Sequence, residues 1–104
     1  MARFDVYPHP EPGLRRQTPY LMNVQNDFID KVESRVVIPL RHAEAFGLRM
    51  RDINPVFEIA GISVVLDTAA LAAFPSGKLN KPVTNLSSKR DDINAALDTL
   101  FGSY

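Results

Sequence analysis

Val56-Phe57-Glu58-Ile59 and Ile62-Ser63-Val64-Val65-Leu66, separated only by Ala60-Gly61, decide the fold class. Both runs are rich in β-branched residues, which pack well on a pleated surface. A two-residue connector ending in glycine predicts a tight hairpin, because such turns need positive φ. Upstream, Val36-Val37-Ile38-Pro39-Leu40 is a further apolar strand. Pro39 has no N–H, so the strand must bulge or meet an edge there. Tyr20, Met22 and Val24 alternate with Leu21, Asn23 and Gln25, the pattern of a half-buried strand with a mostly polar outer face. Phe4-Asp5-Val6-Tyr7 reads as the first strand.

The connections are equally legible. Pro8, Pro10, Pro12 and Gly13 forbid regular pairing, so residues 8–19 form a loop, long enough in so small a domain to suit a functional role. Ala43, Phe46 and Met50 have rough helical spacing interrupted by Gly47, which predicts an irregular connection over residues 41–54 with one helical turn at most. Residues 75–85, with Pro75, Gly77 and Pro82, form another loop with room for a short strand near Val83. After it, Ile93, Ala96, Leu97, Leu100 and Phe101 recur at helical spacing as one apolar stripe. Ser87 or Ser88 is placed to cap this helix, Asp91 and Asp92 face its N-terminal dipole, and Gly102 ends it. About five short strands followed by one helix predict a mainly β fold, a small antiparallel barrel with a helix packed on it.

Composition excludes several classes. The chain has 104 residues, which is one domain spanning 1–104. Hydrophobic residues make up 45% and charged residues 23%, a globular balance. Twelve basic residues match twelve acidic ones, so no global field draws in nucleic acid or an anionic membrane. Without cysteine there is no disulfide, thiol nucleophile or thiolate zinc site. No apolar run approaches a membrane span, and the N-terminus lacks a signal-peptide core, so a cytoplasmic location is expected.

Motifs for catalysis are lacking. No nucleophile elbow, phosphate-binding loop, dinucleotide fingerprint or zinc-helix motif occurs. His9 and His42 have no carboxylate at metal-ligand spacing, and Arg41, His42, Arg49 and Arg51 read as a solvated basic cluster. Asp27, Asp30 and Glu33 read as a solvated turn, and Asn85-Leu86-Ser87 as a chance sequon. On these grounds the chain is a small β-rich binding module.

Three stretches read together say more. They are Phe4-Asp5-Val6-Tyr7; Asn23-Val24-Gln25-Asn26-Asp27-Phe28-Ile29-Asp30 followed by Arg35-Val36-Val37-Ile38-Pro39-Leu40; and Pro55-Val56-Phe57-Glu58-Ile59 with Leu86-Ser87 and Asp92-Ile93-Asn94-Ala95-Ala96. In order and spacing they resemble the CcdB toxins of type II toxin–antitoxin systems, from about residue 3 to residue 101. The resemblance implies an SH3-like barrel with a C-terminal helix, a homodimer, and no enzymatic activity, cofactor or metal. It implies binding to the A subunit of DNA gyrase, which is trapped on cleaved DNA. It further implies a CcdA-like antitoxin, whose disordered C-terminal segment neutralises the toxin; the complex represses the operon, so operator DNA is met only through the antitoxin. MazF-like ribonucleases share the fold, so fold alone does not choose the target. An RNA-cleaving site would need a base near a cation, for which Asp5, Arg35 and Asp67 are the candidates.

The resemblance also assigns surfaces. The gyrase face joins the turn Phe28, Ile29 and Asp30 to the tip of the C-terminal helix, with Asp98, Phe101, Gly102, Ser103 and Tyr104. The turn keeps two apolar residues and an acid. The tip departs: poisoning members end in Phe-Trp-Gly-Ile, whereas this chain ends in Phe101-Gly102-Ser103-Tyr104, and Ala95 and Asp98 stand where the poisons carry Asn. The antitoxin is expected at Pro8, His9, Pro10 and Glu11 and around Val64 and Leu66.

Overall fold

The computed structural model describes residues 1–27 and 33–102. Seven strands, β1 (Asp5–Pro8), β2 (Tyr20–Asn23), β3 (Ser34–His42), β4 (Val56–Ile59), β5 (Ile62–Leu66), β6 (Ala72–Pro75) and β7 (Thr84–Asn85), precede one helix, α1 (Arg90–Phe101). They form one antiparallel sheet in the order β4-β5-β3-β2-β1-β7, with β6 also paired to β3. The sheet curls into a nearly closed barrel with α1 at the C-terminal end.

Strand β3 is the spine. Ser34–Val37 pairs with β6 and Leu40–His42 with β5, while the middle of the strand pairs with β2. Pro39 falls between the two partners. Its carbonyl accepts the Asp67 N–H at 3.0 Å, so the missing Pro39 N–H faces the same gap. The expected bulge or edge is thus a local edge inside an interior strand. The hairpin is as read: Ile59 pairs with Ile62, and Ala60 and Gly61 both have positive φ, 52° and 78°.

Phe4, Val6, Met22, Ile38, Leu40, Phe57, Val64 and Leu66 fill the barrel, closed by Leu86, Ile93 and Ala96. The expected polar outer face of β2 is corrected. Leu21 and Asn23 are buried as well, because Phe74 and Leu79 fold over Tyr7, Leu21 and Val37 as a second cluster. Residues 41–54 do run irregularly. Buried Asn54 ties them down, its Nδ2 donating to the Leu66 carbonyl at 3.0 Å and its Oδ1 accepting the Met50 N–H at 3.0 Å.

Two expectations about α1 also change. Ser87 and Ser88 lie in a preceding short 3-10 turn, and the residue at the helix start is Lys89, which makes no side-chain cap. The apolar stripe runs off the core: Ile93 and Ala96 are fully buried, Leu97 only partly, and Phe101 is 67% exposed. Gly102 ends the helix in the left-handed region, its N–H donating to the Asp98 carbonyl.

Candidate protein-binding surfaces

The first surface is the far end of α1. Ile93 and Ala96 anchor the helix, which leaves Ala95, Asp98 and Phe101 to solvent. Thr99 donates its hydroxyl back to the Ala95 carbonyl at 2.9 Å and adds little polarity there. Phe101 is thus a large apolar side chain left exposed at the end of α1.

Arg3, which carried no motif in the sequence, joins this helix to Val24 and Asp27, just past β2. Its Nη2 donates to Asn94 Oδ1 on α1 at 3.1 Å, and its Nε to the Val24 carbonyl just past β2 at 3.1 Å. Its backbone N–H donates to Asp27 Oδ1 at 2.6 Å, and its guanidinium lies 4.7 Å from the centre of the Phe4 ring. Asp27, Val24 and α1 therefore share one side of the molecule. Phe28, Ile29 and Asp30 lie outside the described residues, as do Ser103 and Tyr104.

The second surface is the loop after β1. Pro8 and Pro10 are half-buried and Glu11 is exposed, but His9 is only 8% exposed. The His9 ring meets Phe74 edge-on with centroids 6.4 Å apart. Its Nδ1 accepts the Glu11 N–H at 3.1 Å, and its carbonyl accepts Arg15 Nε at 2.6 Å. Burial pushes its pKa below the ordinary histidine value; Arg15 and Arg41 act in the same direction, against Glu11. Across the loop, Arg41 Nε donates to Asp67 Oδ2 and its Nη1 to Thr18 Oγ1, each at 2.6 Å. An open cleft of about 470 Å³ runs between residues 51–55 and α1, and another of about 370 Å³ lies beside His9, Leu14, Arg16 and Arg41.

Val64 and Leu66 are not on this surface. Both are fully buried in the barrel core, so their side chains offer a partner nothing; the exposed residue of β5 is Ser63. The ribonuclease candidates fare no better as a reactive cluster. Asp67 is ion-paired to Arg41, Asp5 accepts Asn85 Nδ2 at 2.9 Å, and Arg35 is 4% exposed beneath the outer cluster. No metal-binding group of side chains occurs among the described residues, and no helix there is long and apolar enough to cross a membrane.

Beside Asp5 lies Tyr7, whose hydroxyl donates to Asp5 Oδ2 at 3.4 Å. Burial, and then the Asp5 carboxylate, push its pKa up from 10.0 to about 12. Below pH 10 the phenol is neutral in folded and unfolded chains alike. Between pH 10 and about 12 only the unfolded chain loses the proton, so stability falls as pH rises through that window. Tyr7→Phe is expected to remove that part of the alkaline loss, read from urea midpoints of both proteins at pH 9 and pH 11.5.

The sequence profile of the CcdB protein family matches residues 3–102. The chain belongs to the CcdB family. It is thus a toxin of a toxin–antitoxin module, in a family that acts by binding proteins and not by catalysis, with antitoxin and gyrase as its general partners. The match covers α1, the His9 loop and positions 28–30.

Proposed function

We propose that this CcdB protein is the cytoplasmic, homodimeric toxin of a type II module that binds the gyrase A subunit and poisons it weakly. The carrying observation is Phe101, 67% exposed at the end of a helix whose buried residues already close the core. It matches the Phe of the terminal motif in poisoning members. Asp98 stands exposed one turn before it, and Arg3 ties α1 to Asp27, the residue that precedes Phe28, Ile29 and Asp30 in sequence, which make the other half of the proposed gyrase face. Gly102, Ser103 and Tyr104 do not supply the Trp that follows in the poisons, which is the reason for weak action. A CcdA-like antitoxin is placed at the loop bearing Pro8, His9, Pro10 and Glu11, and operator DNA is reached only through the antitoxin.

The same tail favours a second reading, a homologue that keeps its antitoxin and has given up gyrase. Phe101→Ala separates the two. The first reading expects wild-type protein to bind a gyrase A fragment in calorimetry. The substitution should lower that affinity about tenfold or more, the effect of losing an interface anchor, without moving the thermal midpoint. No measurable binding by the wild type supports the second reading.

A further inference from the structure

The His9 loop carries a feature that partner docking does not require. The neutral His9 ring must keep Nδ1 free of a proton, since Nδ1 accepts the Glu11 N–H at 3.1 Å; its proton is therefore on Nε2. The same residue holds both ends of the loop. Its N–H donates to the Pro19 carbonyl at 2.9 Å, and its carbonyl takes Arg15 Nε at 2.6 Å. At the far end Thr18 is fixed by its N–H to the Leu14 carbonyl at 2.8 Å and by Arg41 Nη1 at 2.6 Å. The 370 Å³ cleft is walled by this loop on one side and by Leu21, Pro39 and Arg41 on the other.

A proton added to Nδ1 reverses the first contact. An N–H then faces the Glu11 N–H, donor against donor, in a site only 8% exposed. The surroundings do little to receive the new charge. Arg15 from the loop and Arg41 from β3 repel it, and Asp67 is already paired with Arg41. Phe74 from β6, Leu21 from β2 and Pro39 from β3 are uncharged, which leaves the exposed Glu11 carboxylate as the one opposing influence.

We propose that His9 is an acid-operated latch: with Nδ1 unprotonated the loop from His9 to Thr18 stays closed along the Arg41 cleft, and a proton on Nδ1 releases it. The toxin then loses a binding surface in acid while its barrel and α1 stay folded. That this weakens antitoxin binding rests on placing the antitoxin at this loop; the latch does not.

Hydrogen exchange of the His9 and Glu11 amides, corrected for intrinsic rates, measures opening directly. Linkage expects opening to rise about tenfold per pH unit below about 6.5, down to the closed loop's own lower value. Exchange in β2 and β3 should not follow. His9→Asn places Oδ1 near the Nδ1 position, keeps an acceptor for Glu11 and cannot titrate, so its loop should ignore pH. Acid-linked opening in the wild type and not in His9→Asn supports the latch; opening in both, or in neither, overturns it. The wild type alone gives a second check, because the NMR titration of the His9 ring must share its midpoint with the amides, and separate midpoints overturn the proposal. The C-terminal segment of a CcdA-like antitoxin, titrated across the same range, isolates the other reading. Affinity that falls with opening extends the latch to neutralisation, whereas affinity blind to an opening already seen moves the antitoxin elsewhere and leaves the latch established.

Discussion

Ile93→Ala is expected to destabilise the protein by about 2–5 kcal/mol, the range for a fully buried aliphatic residue truncated in a core. Ile93 has no exposed surface and, with Ala96, is the buried contact through which α1 closes the barrel. Val6, Met22, Ile38 and Leu66 of the same cluster are themselves fully buried. Leu97 is only partly buried, so Leu97→Ala should cost less, about 1–2 kcal/mol, in proportion to the smaller area it hides. Asp98→Ala, on the solvent side, should stay within about 0.5 kcal/mol of wild type. Urea midpoints at unchanged slope check the order. Coincident midpoints for Ile93→Ala and Asp98→Ala would mean that the helix is docked by another face.

The largest functional effect is expected from repairing the tail. Gly102→Trp with Ser103→Gly and Tyr104→Ile restores the terminal motif of the poisoning members after Phe101. Interface energy concentrates in a few anchors, Trp foremost, and one anchor is commonly worth at least about 2 kcal/mol, about thirtyfold in affinity. In a homodimer both tails are changed, so the gain is felt twice. Position 102 has room for a Cβ. Gly102 has φ 73°, which a side chain disfavours by roughly 1–2 kcal/mol, but an added Cβ meets no atom within 4 Å. Relaxing that one residue costs less than the anchor returns. On a helix continued past position 102, Tyr104 would lie about 3 Å further and roughly 200° round, away from the place of the lost Trp; only a tail turned at Gly102 would bring it back. Tyr104→Ala should therefore leave gyrase binding unchanged, while the triple substitution raises it about thirtyfold or more.

The hairpin was readable because its information is local: two β-branched runs and a two-residue turn set their own register. The covering of the outer face was not. Ala72-Ala73-Phe74-Pro75 shows no alternation, and it becomes β6 only by pairing with distant β3; Leu79 then buries Leu21 and Tyr7. The same limit applies to α1. Phe101 lies on the apolar stripe at the same spacing as Ile93, and periodicity cannot separate a residue facing the core from one awaiting a partner. Val64 and Leu66 show the same limit: the family pattern placed them near the antitoxin, yet Val64, Val65 and Leu66 are all buried, and an unbroken apolar run does not tell which side chains face a partner. The Arg3–Asn94 pairing was not legible, because a bridge over 91 positions leaves no trace in local sequence. Family membership was legible only through the stretches that carry the resemblance, 23–30 and 35–40 among them, and the proposed target rests on it; charge, composition and motif alone stop at a binding module.

The most direct test of the account is a DNA-cleavage assay with purified toxin and the gyrase of its own host. The account predicts few or no trapped cleavage complexes with the wild-type toxin at nanomolar concentration, and their appearance with the Gly102→Trp, Ser103→Gly, Tyr104→Ile protein. Abundant complexes from the wild type at nanomolar concentration would contradict it.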